Sequence, residues 1–128
     1  MAIRRLEDLI AWNEAKKLAK LVFSLLPKLP ENEKYILRKH LWECARNIPG
    51  NIAEGFGRFH FQESMQFYRI ARGSLNELKS DVYICLECGY WSEGEVNTIL
   101  AQVEHVSQLI NGLIGSSQKN KKIYSEKN

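Results

Sequence analysis

Three groups of side chains in this 128-residue chain have types and spacings that chemistry uses. The first is built on thiols. Cys85-Leu86-Glu87-Cys88 is a C-x-x-C, and His40 and Cys44 stand one helical turn apart. Pooled, they would make a zinc set. A chain that doubles back near Phe59 puts Cys44 opposite Ser74, with Cys85 a further eleven residues along, roughly 16 Å at the helical rise. One ion cannot span that distance, and a redox dithiol needs a helix N-terminus beside a strand. The cysteines therefore read as small apolar packing groups, and the sequence assigns no metal and no cofactor. The second group is His40, His60 and His105. None adjoins a nucleophile motif, an H-E-x-x-H or a glycine-rich phosphate loop, so no catalytic residue is assigned and the expectation is a protein that is not an enzyme.

The third group is basic. Arg38, Trp42 and Arg46 recur at i, i+4 and i+8, a basic stripe with an aromatic set into it. Arg69 and Arg72 lie about one turn apart further on, and Arg58 falls between the two stretches. Arginine pairs bidentately with phosphate, neutralised phosphates release counterions, and an exposed indole stacks on an unpaired base. These six residues form the candidate nucleic-acid surface. The competing reading is a solvated face held by ion pairs, with Glu43 and Glu54 near enough to supply them. Net charge is only +3 but unevenly spread: residues 34–72 carry a net of +4, residues 73–118 a net of −5 and residues 119–128 a net of +3. Such a split suits an anionic partner on one side or association of unlike faces.

Four amphipathic segments must position these groups. Helix one is expected to begin at an Asp8 N-cap and to carry a seam of Trp12, Ala15, Ala19, Val22 and Leu26, closed by Pro27 and Pro30. Helix two is expected from near Asn32, with an apolar stripe of Leu37, Leu41, Cys44/Ala45, Ile48 and Ile52. The stripe runs through Pro49, which predicts one proline-kinked helix rather than two. Gly55 and Gly57 are expected to end it in left-handed conformations. Asn51, Glu54 and Arg58 share its polar side, with Glu54 and Arg58 spaced to pair. Pro49, Asn51, Glu54, Gly55 and Gly57 thus form a structural motif, a kink and stop that shape the subunit. Helix three runs from Phe61 to Glu87 or Cys88 on a stripe of Phe67, Ala71, Leu75, Leu78, Val82 and Cys85/Leu86. Close approach of a neighbour is expected at Gly73, and Gly89 is a suitable C′ residue. Helix four opens with a Ser92/Glu95 capping box and continues as Val96, Ile99, Val103, Val106, Ile110 and Leu113. The expectation is an all-α, up-down-up-down four-helix bundle over residues 1–116, followed by a basic, disordered tail over 117–128. Broad stripes and thirteen aromatics exceed what one slim bundle holds inside, so shared apolar surface is expected. Three cysteines, no apolar span and no secretory leader fit a cytoplasmic protein without a membrane contact.

Leu6-Glu7-Asp8-Leu9 with Trp12, the central Ile48-Pro49-x-Asn51-Ile52-Ala53-Glu54-Gly55-x-Gly57-Arg58, and Phe67-x-Arg69-Ile70-Ala71-x-Gly73-Ser74-Leu75-x-Glu77-Leu78 with Gly89-Tyr90 carry a resemblance. They resemble the bacterial four-helix-bundle family that contains the intervening-sequence proteins encoded within large-subunit ribosomal RNA genes and the accessory protein of diversity-generating retroelements. The resemblance covers about residues 5–116. It implies a bundle that assembles into a ring, commonly a homopentamer, binds nucleic acid, RNA above all, and has no catalytic residues. Two positions depart from the family pattern. Trp42-Glu43 stands where many members carry two basic residues, and His60-Phe61 replaces a Ser/Thr-rich helix start. Both lower the positive charge or polarity of the expected contact surface. A protein partner without nucleic acid is the alternative.

Overall fold

The structure is a computed structural model that describes residues 3–127. Its four α-helices are α1 (Ile10–Leu25), α2 (Leu37–Phe56), α3 (Phe61–Glu87) and α4 (Glu93–Lys127), and no strand occurs among the described residues. Three short 3-10 turns, Leu6–Asp8, Leu26–Lys28 and Glu31–Glu33, occupy the approach to α1 and the α1–α2 connection. Each helix packs on its sequence neighbours and α1 closes against α4, which is the cyclic order of an up-down-up-down bundle.

The expected stripes fill one core, except that Phe67 and Leu113 are half-buried at its margin, where Tyr68 and Ile114 are buried instead. Leu37, Leu41, Cys44, Ala45, Ile48 and Ile52 of α2, Ala71, Leu75, Leu78, Val82 and Cys85 of α3, and Val96, Ile99, Val103, Val106 and Ile110 of α4 are all buried. Of the expected α1 seam, Ala15, Ala19, Val22 and Leu26 are buried and are joined by Ala11 and Leu18, whereas Trp12 is only half-buried at the edge. Its small alanines let neighbouring backbones approach, and the bulky indole is left to cover the rim.

Several boundaries differ from expectation, each for a local reason. Asp8 is not the N-cap. It belongs to the Leu6–Asp8 turn, extended Leu9 leads into α1, and Asn13 Nδ2 donates to the Glu7 and Leu9 carbonyls at 2.9 and 3.1 Å. Helix α2 starts five residues after Asn32, because Ile36 sits at φ −117°, ψ −88°, outside the helical region, and Leu37 is the first side chain to reach the core. Helix α2 then runs unbroken through Pro49. Asn51 Nδ2 donates to the Asn47 carbonyl at 2.8 Å, adding a side-chain bond to the turn that contains the proline.

Gly55 and Gly57 do not take left-handed conformations. Gly89, at φ 73°, is the only described residue that does. Gly57 caps α2 at φ −80°, ψ −2°, and Gly55 is inside the helix for a steric reason. A Cβ there would lie 2.6 Å from Tyr68 Cε1 and 3.0 Å from the Ser64 carbonyl oxygen. The close approach expected at Gly73 is therefore found at Gly55, while a Cβ at Gly73 would meet nothing within 4 Å.

At the other pole, α3 ends in a Schellman motif, with Gly89 N–H donating to Leu86 O at 3.0 Å and Tyr90 N–H to Cys85 O at 2.9 Å. The capping box forms as the sequence expects: Ser92 N–H donates to Glu95 Oε1 at 2.9 Å and Glu95 N–H to Ser92 Oγ at 3.1 Å. Finally, α4 does not give way to a disordered tail at residue 117 but continues to Lys127. Its last turns lie along the start of α3, where Lys121 Nζ donates to Gln62 Oε1 at 2.8 Å and Tyr124 meets Phe61 edge-on at 6.4 Å.

Candidate functional site

The six candidate nucleic-acid residues do not share one surface. Trp42 and Arg46 turn toward α1: the Trp42 ring lies 6.5 Å from that of Phe23, and the Arg46 guanidinium sits over the indole at 4.6 Å. Arg72 turns toward α4, where its Nη1 donates to Asn111 Oδ1 at 3.0 Å. Since α1–α2 and α3–α4 are opposite sides of the bundle, the arginines of α2 and α3 divide between two faces. Arg58 occupies the hairpin pole. Its Nη2 donates to Glu54 Oε2 at 2.9 Å, one turn back, and its guanidinium covers the Phe67 ring at 4.6 Å. Arg38 is half-buried on the first turn of α2, and Arg69 is exposed on α3.

The α1–α2 face carries more than the sequence assigned to it. A groove of about 450 Å³ is lined by Trp12, Lys16, Ala19, Lys20 and Phe23 of α1 and by Arg46, Pro49 and Gly50 of α2. Its floor is apolar and its rim cationic, and Lys16 Nζ stands 3.8 Å over the Trp12 ring. Two cation-over-indole pairs therefore flank one trough. Trp42, beside it, is 43% exposed although it packs on Phe23 and lies under Arg46. Pro49 and Gly50 form the α2 wall, so the central motif shapes this groove as well as the hairpin. Lys16 and Lys20 look like an ordinary solvated face in sequence. The signal that could have found them is their i, i+4 spacing beside Trp12.

A second constellation lies between α2 and α3. His40 Nδ1–H donates to Asp81 Oδ2, and its Nε2 lies 3.4 Å from Glu77 Oε2. Cys44 Sγ is 3.6 Å from His40 Nε2 and donates to Glu77 Oε2 at 3.5 Å. Ligand atoms of His40, Cys44 and Asp81 all fall within 4.8 Å of one another. The Asp81 carboxylate raises the His40 pKa above the ordinary imidazole value, with Glu77 adding to it. Burial, reinforced by Glu77, pushes the Cys44 thiol up to about 12. Cys44 is thus opposite Glu77, not Ser74, a register shift of three residues. Cys85 and Cys88 take no part. Cys85 is buried in the core with its thiol also pushed up to about 12 by burial, and Cys88 is exposed.

The arrangement of helices defines a class of all-helical bundle, and a solved structure shares it. A crystal structure of a protein of unknown function from the S23 ribosomal protein family of Bacteroides thetaiotaomicron superposes with a TM-score of 0.76, covering 82% of this chain and 98% of that one at 16% identity. The chain itself belongs to the 23S rRNA-intervening sequence protein family, whose model matches residues 7–112. No curated protein matches. Among the described residues, no helix is long and apolar enough to cross a membrane.

Proposed function

We propose that this is a non-enzymatic, self-associating bundle that presents the α1–α2 groove to single-stranded nucleic acid, RNA in the first place. The observation that carries the reading is the pairing of aromatic faces with cations along one trough: Trp12 under Lys16, Trp42 under Arg46, with Lys20 on the same rim. Stacking surfaces interleaved with basic side chains suit unpaired bases and the phosphates between them, with little sequence readout. The family resemblance points the same way, because it too implies RNA binding. Self-association, as a ring and most simply a pentamer, is supported by large apolar side chains left in solvent, among them Ile10, Ile36, Ile70, Tyr83 and Ile84.

The test is binding of a short single-stranded RNA over a salt series, with oligomer mass measured on the same samples. Trp42→Ala should weaken binding by about 1–3 kcal/mol, the worth of one stacked base. Arg46→Gln should also lower the salt slope by about 0.7, the share of one phosphate contact on a single strand. Arg69→Gln with Arg72→Gln, on the far face, should leave both quantities near wild type. Absence of binding at low salt overturns the reading and leaves a protein–protein interaction module.

A further inference from the structure

We propose that His40, Cys44 and Glu77 form a binding site for a zinc-class divalent cation, with Asp81 as the residue that orients His40. The site is independent of the α1–α2 groove: both α2 donors face α3. Zinc in protein sites is tetrahedral, with bonds of about 2.3 Å to sulfur and 2.0–2.2 Å to imidazole nitrogen and carboxylate oxygen. Those bonds set the edges between ligand atoms at about 3.4 Å for nitrogen–oxygen and 3.6 Å for sulfur–nitrogen and sulfur–oxygen. The corresponding separations here are 3.4 Å from His40 Nε2 to Glu77 Oε2, 3.6 Å from Cys44 Sγ to His40 Nε2 and 3.5 Å from Cys44 Sγ to Glu77 Oε2. Three donors therefore already outline one face of a tetrahedron.

Asp81 completes the pattern. It accepts from Nδ1–H of His40, which leaves Nε2 as the ring's ligand nitrogen; Cys44 Sγ lies 3.9 Å from Nδ1 as well as 3.6 Å from Nε2, so the imidazole must turn about its side-chain bonds to bring the Nε2 lone pair onto an ion shared with sulfur. A carboxylate on the far nitrogen of a liganding histidine is the usual outer-shell arrangement at zinc. Each helix supplies its pair at an i, i+4 spacing, His40 with Cys44 and Glu77 with Asp81, so two rigid elements hold the donors. His40 and Glu77 are largely exposed, which gives an entry path and leaves the fourth position to a water. Thiolate, imidazole and carboxylate together select zinc over magnesium or calcium. On binding, the Cys44 thiol loses its proton to solvent and the ion takes its place between sulfur and the Glu77 carboxylate.

The test uses the full chain, stripped with chelator under thiol-free reductant and titrated with Co²⁺, then back-titrated with Zn²⁺. One equivalent per chain should give the visible d–d bands of tetrahedral cobalt and a near-ultraviolet thiolate-to-cobalt charge-transfer band, both erased by zinc. Cys44→Ser should abolish the charge-transfer band. His40→Gln, at an exposed position that does not endanger folding, should lower affinity at least as much as an outer-shell loss, about tenfold or more. Asp81→Asn should weaken binding by about 10–100-fold yet keep the charge-transfer band. Cys88→Ser should titrate like wild type. An octahedral cobalt spectrum without charge transfer, or Cys44→Ser and His40→Gln titrating like wild type, overturns the proposal.

Discussion

Gly55→Ala and Gly73→Ala make the same chemical change in two helices and are expected to act with opposite sign. Alanine is favoured over glycine in a helix interior by about 0.8–1.0 kcal/mol. At Gly73 the added methyl meets nothing within 4 Å, so most of that gain should appear as stability. At Gly55 the methyl would lie 2.6 and 2.8 Å from Tyr68 Cε1 and Cδ1 and 3.0 Å from the Ser64 carbonyl. Neither neighbour gives way easily: the Tyr68 side chain is 5% exposed, and the carbonyl is part of α3 itself. Overpacking a tight core site costs about 1–3 kcal/mol, so after the propensity gain a net loss of up to about 2 kcal/mol is expected. For a domain of this size that is about 3–6 °C of melting temperature per kcal/mol. The assay is urea and thermal unfolding by circular dichroism at matched protein concentration, since self-association moves the midpoint. A Tyr68→Leu background supplies the mechanism check: with the ring gone, Gly55→Ala should lose much of its penalty, a coupling of about 0.5–3 kcal/mol. Gly55→Ala at or above wild-type stability, or an undiminished penalty without the ring, would refute the steric argument.

Two further substitutions probe the opposite pole. Trp91 is 2% exposed and its Nε1–H donates to the Leu25 carbonyl at 3.0 Å. Trp91→Phe should lower the urea midpoint by the equivalent of about 1–3 kcal/mol, because a part-buried carbonyl loses its donor. Glu95 titrates below the ordinary carboxylate range, chiefly through its bond with Lys28 and then through the Ser92 N–H. A carboxylate with a depressed folded-state pKa contributes stability above its unfolded pKa and loses it as pH falls through the folded value. Glu95→Gln keeps the capping geometry but not the charge. Its deficit in melting temperature should therefore be present at neutral pH and close in acid. A deficit independent of pH would show that the Lys28 pairing contributes nothing.

The helices were legible in sequence because their buried positions recur at helical spacing. Ile48 and Ile52 stay on the core side across Pro49, and that continuity was enough to keep α2 whole. What was not legible depended on register between helices. The shift that sets Cys44 beside Glu77 rather than Ser74 is invisible to periodicity, because any hairpin centre that keeps the stripes facing is equally consistent with it. The proposed His40, Cys44 and Glu77 triangle is not legible for that reason: spacing offers His40 and Cys44 only the distant Cys85-x-x-Cys88 as further thiol donors, while the nearer groups across the helix pair are carboxylates. The same limit applies to the basic residues. Spacing shows that Arg38, Trp42 and Arg46 share a side of α2, but not that this side meets α1 while Arg72 meets α4. The glycines show a third limit. Composition marks Gly55 and Gly73 alike, and only the position of Tyr68 distinguishes them.

The link from Trp91 to Leu25 bears on the order in which the chain assembles. The α2–α3 and α3–α4 turns each close over a handful of residues, whereas Trp91 and Leu25 are 66 residues apart in sequence. Closure entropy grows as (3/2)RT ln n, about 2 kcal/mol for ten residues and about 3.7 kcal/mol for this separation. Each helix can therefore pair with its sequence neighbour through a cheap local closure, the α1–α2 connection over residues 26–36 included, before the contact between α1 and the α3–α4 turn forms. In that sequence of events the Trp91 bond is absent from the folding transition state, so Trp91→Phe should speed unfolding while leaving the refolding rate near wild type. The bond that ties the end of α1 to the α3–α4 turn is then the last to close and the first to open, and the α1–α2 pair that frames the groove does not depend on it.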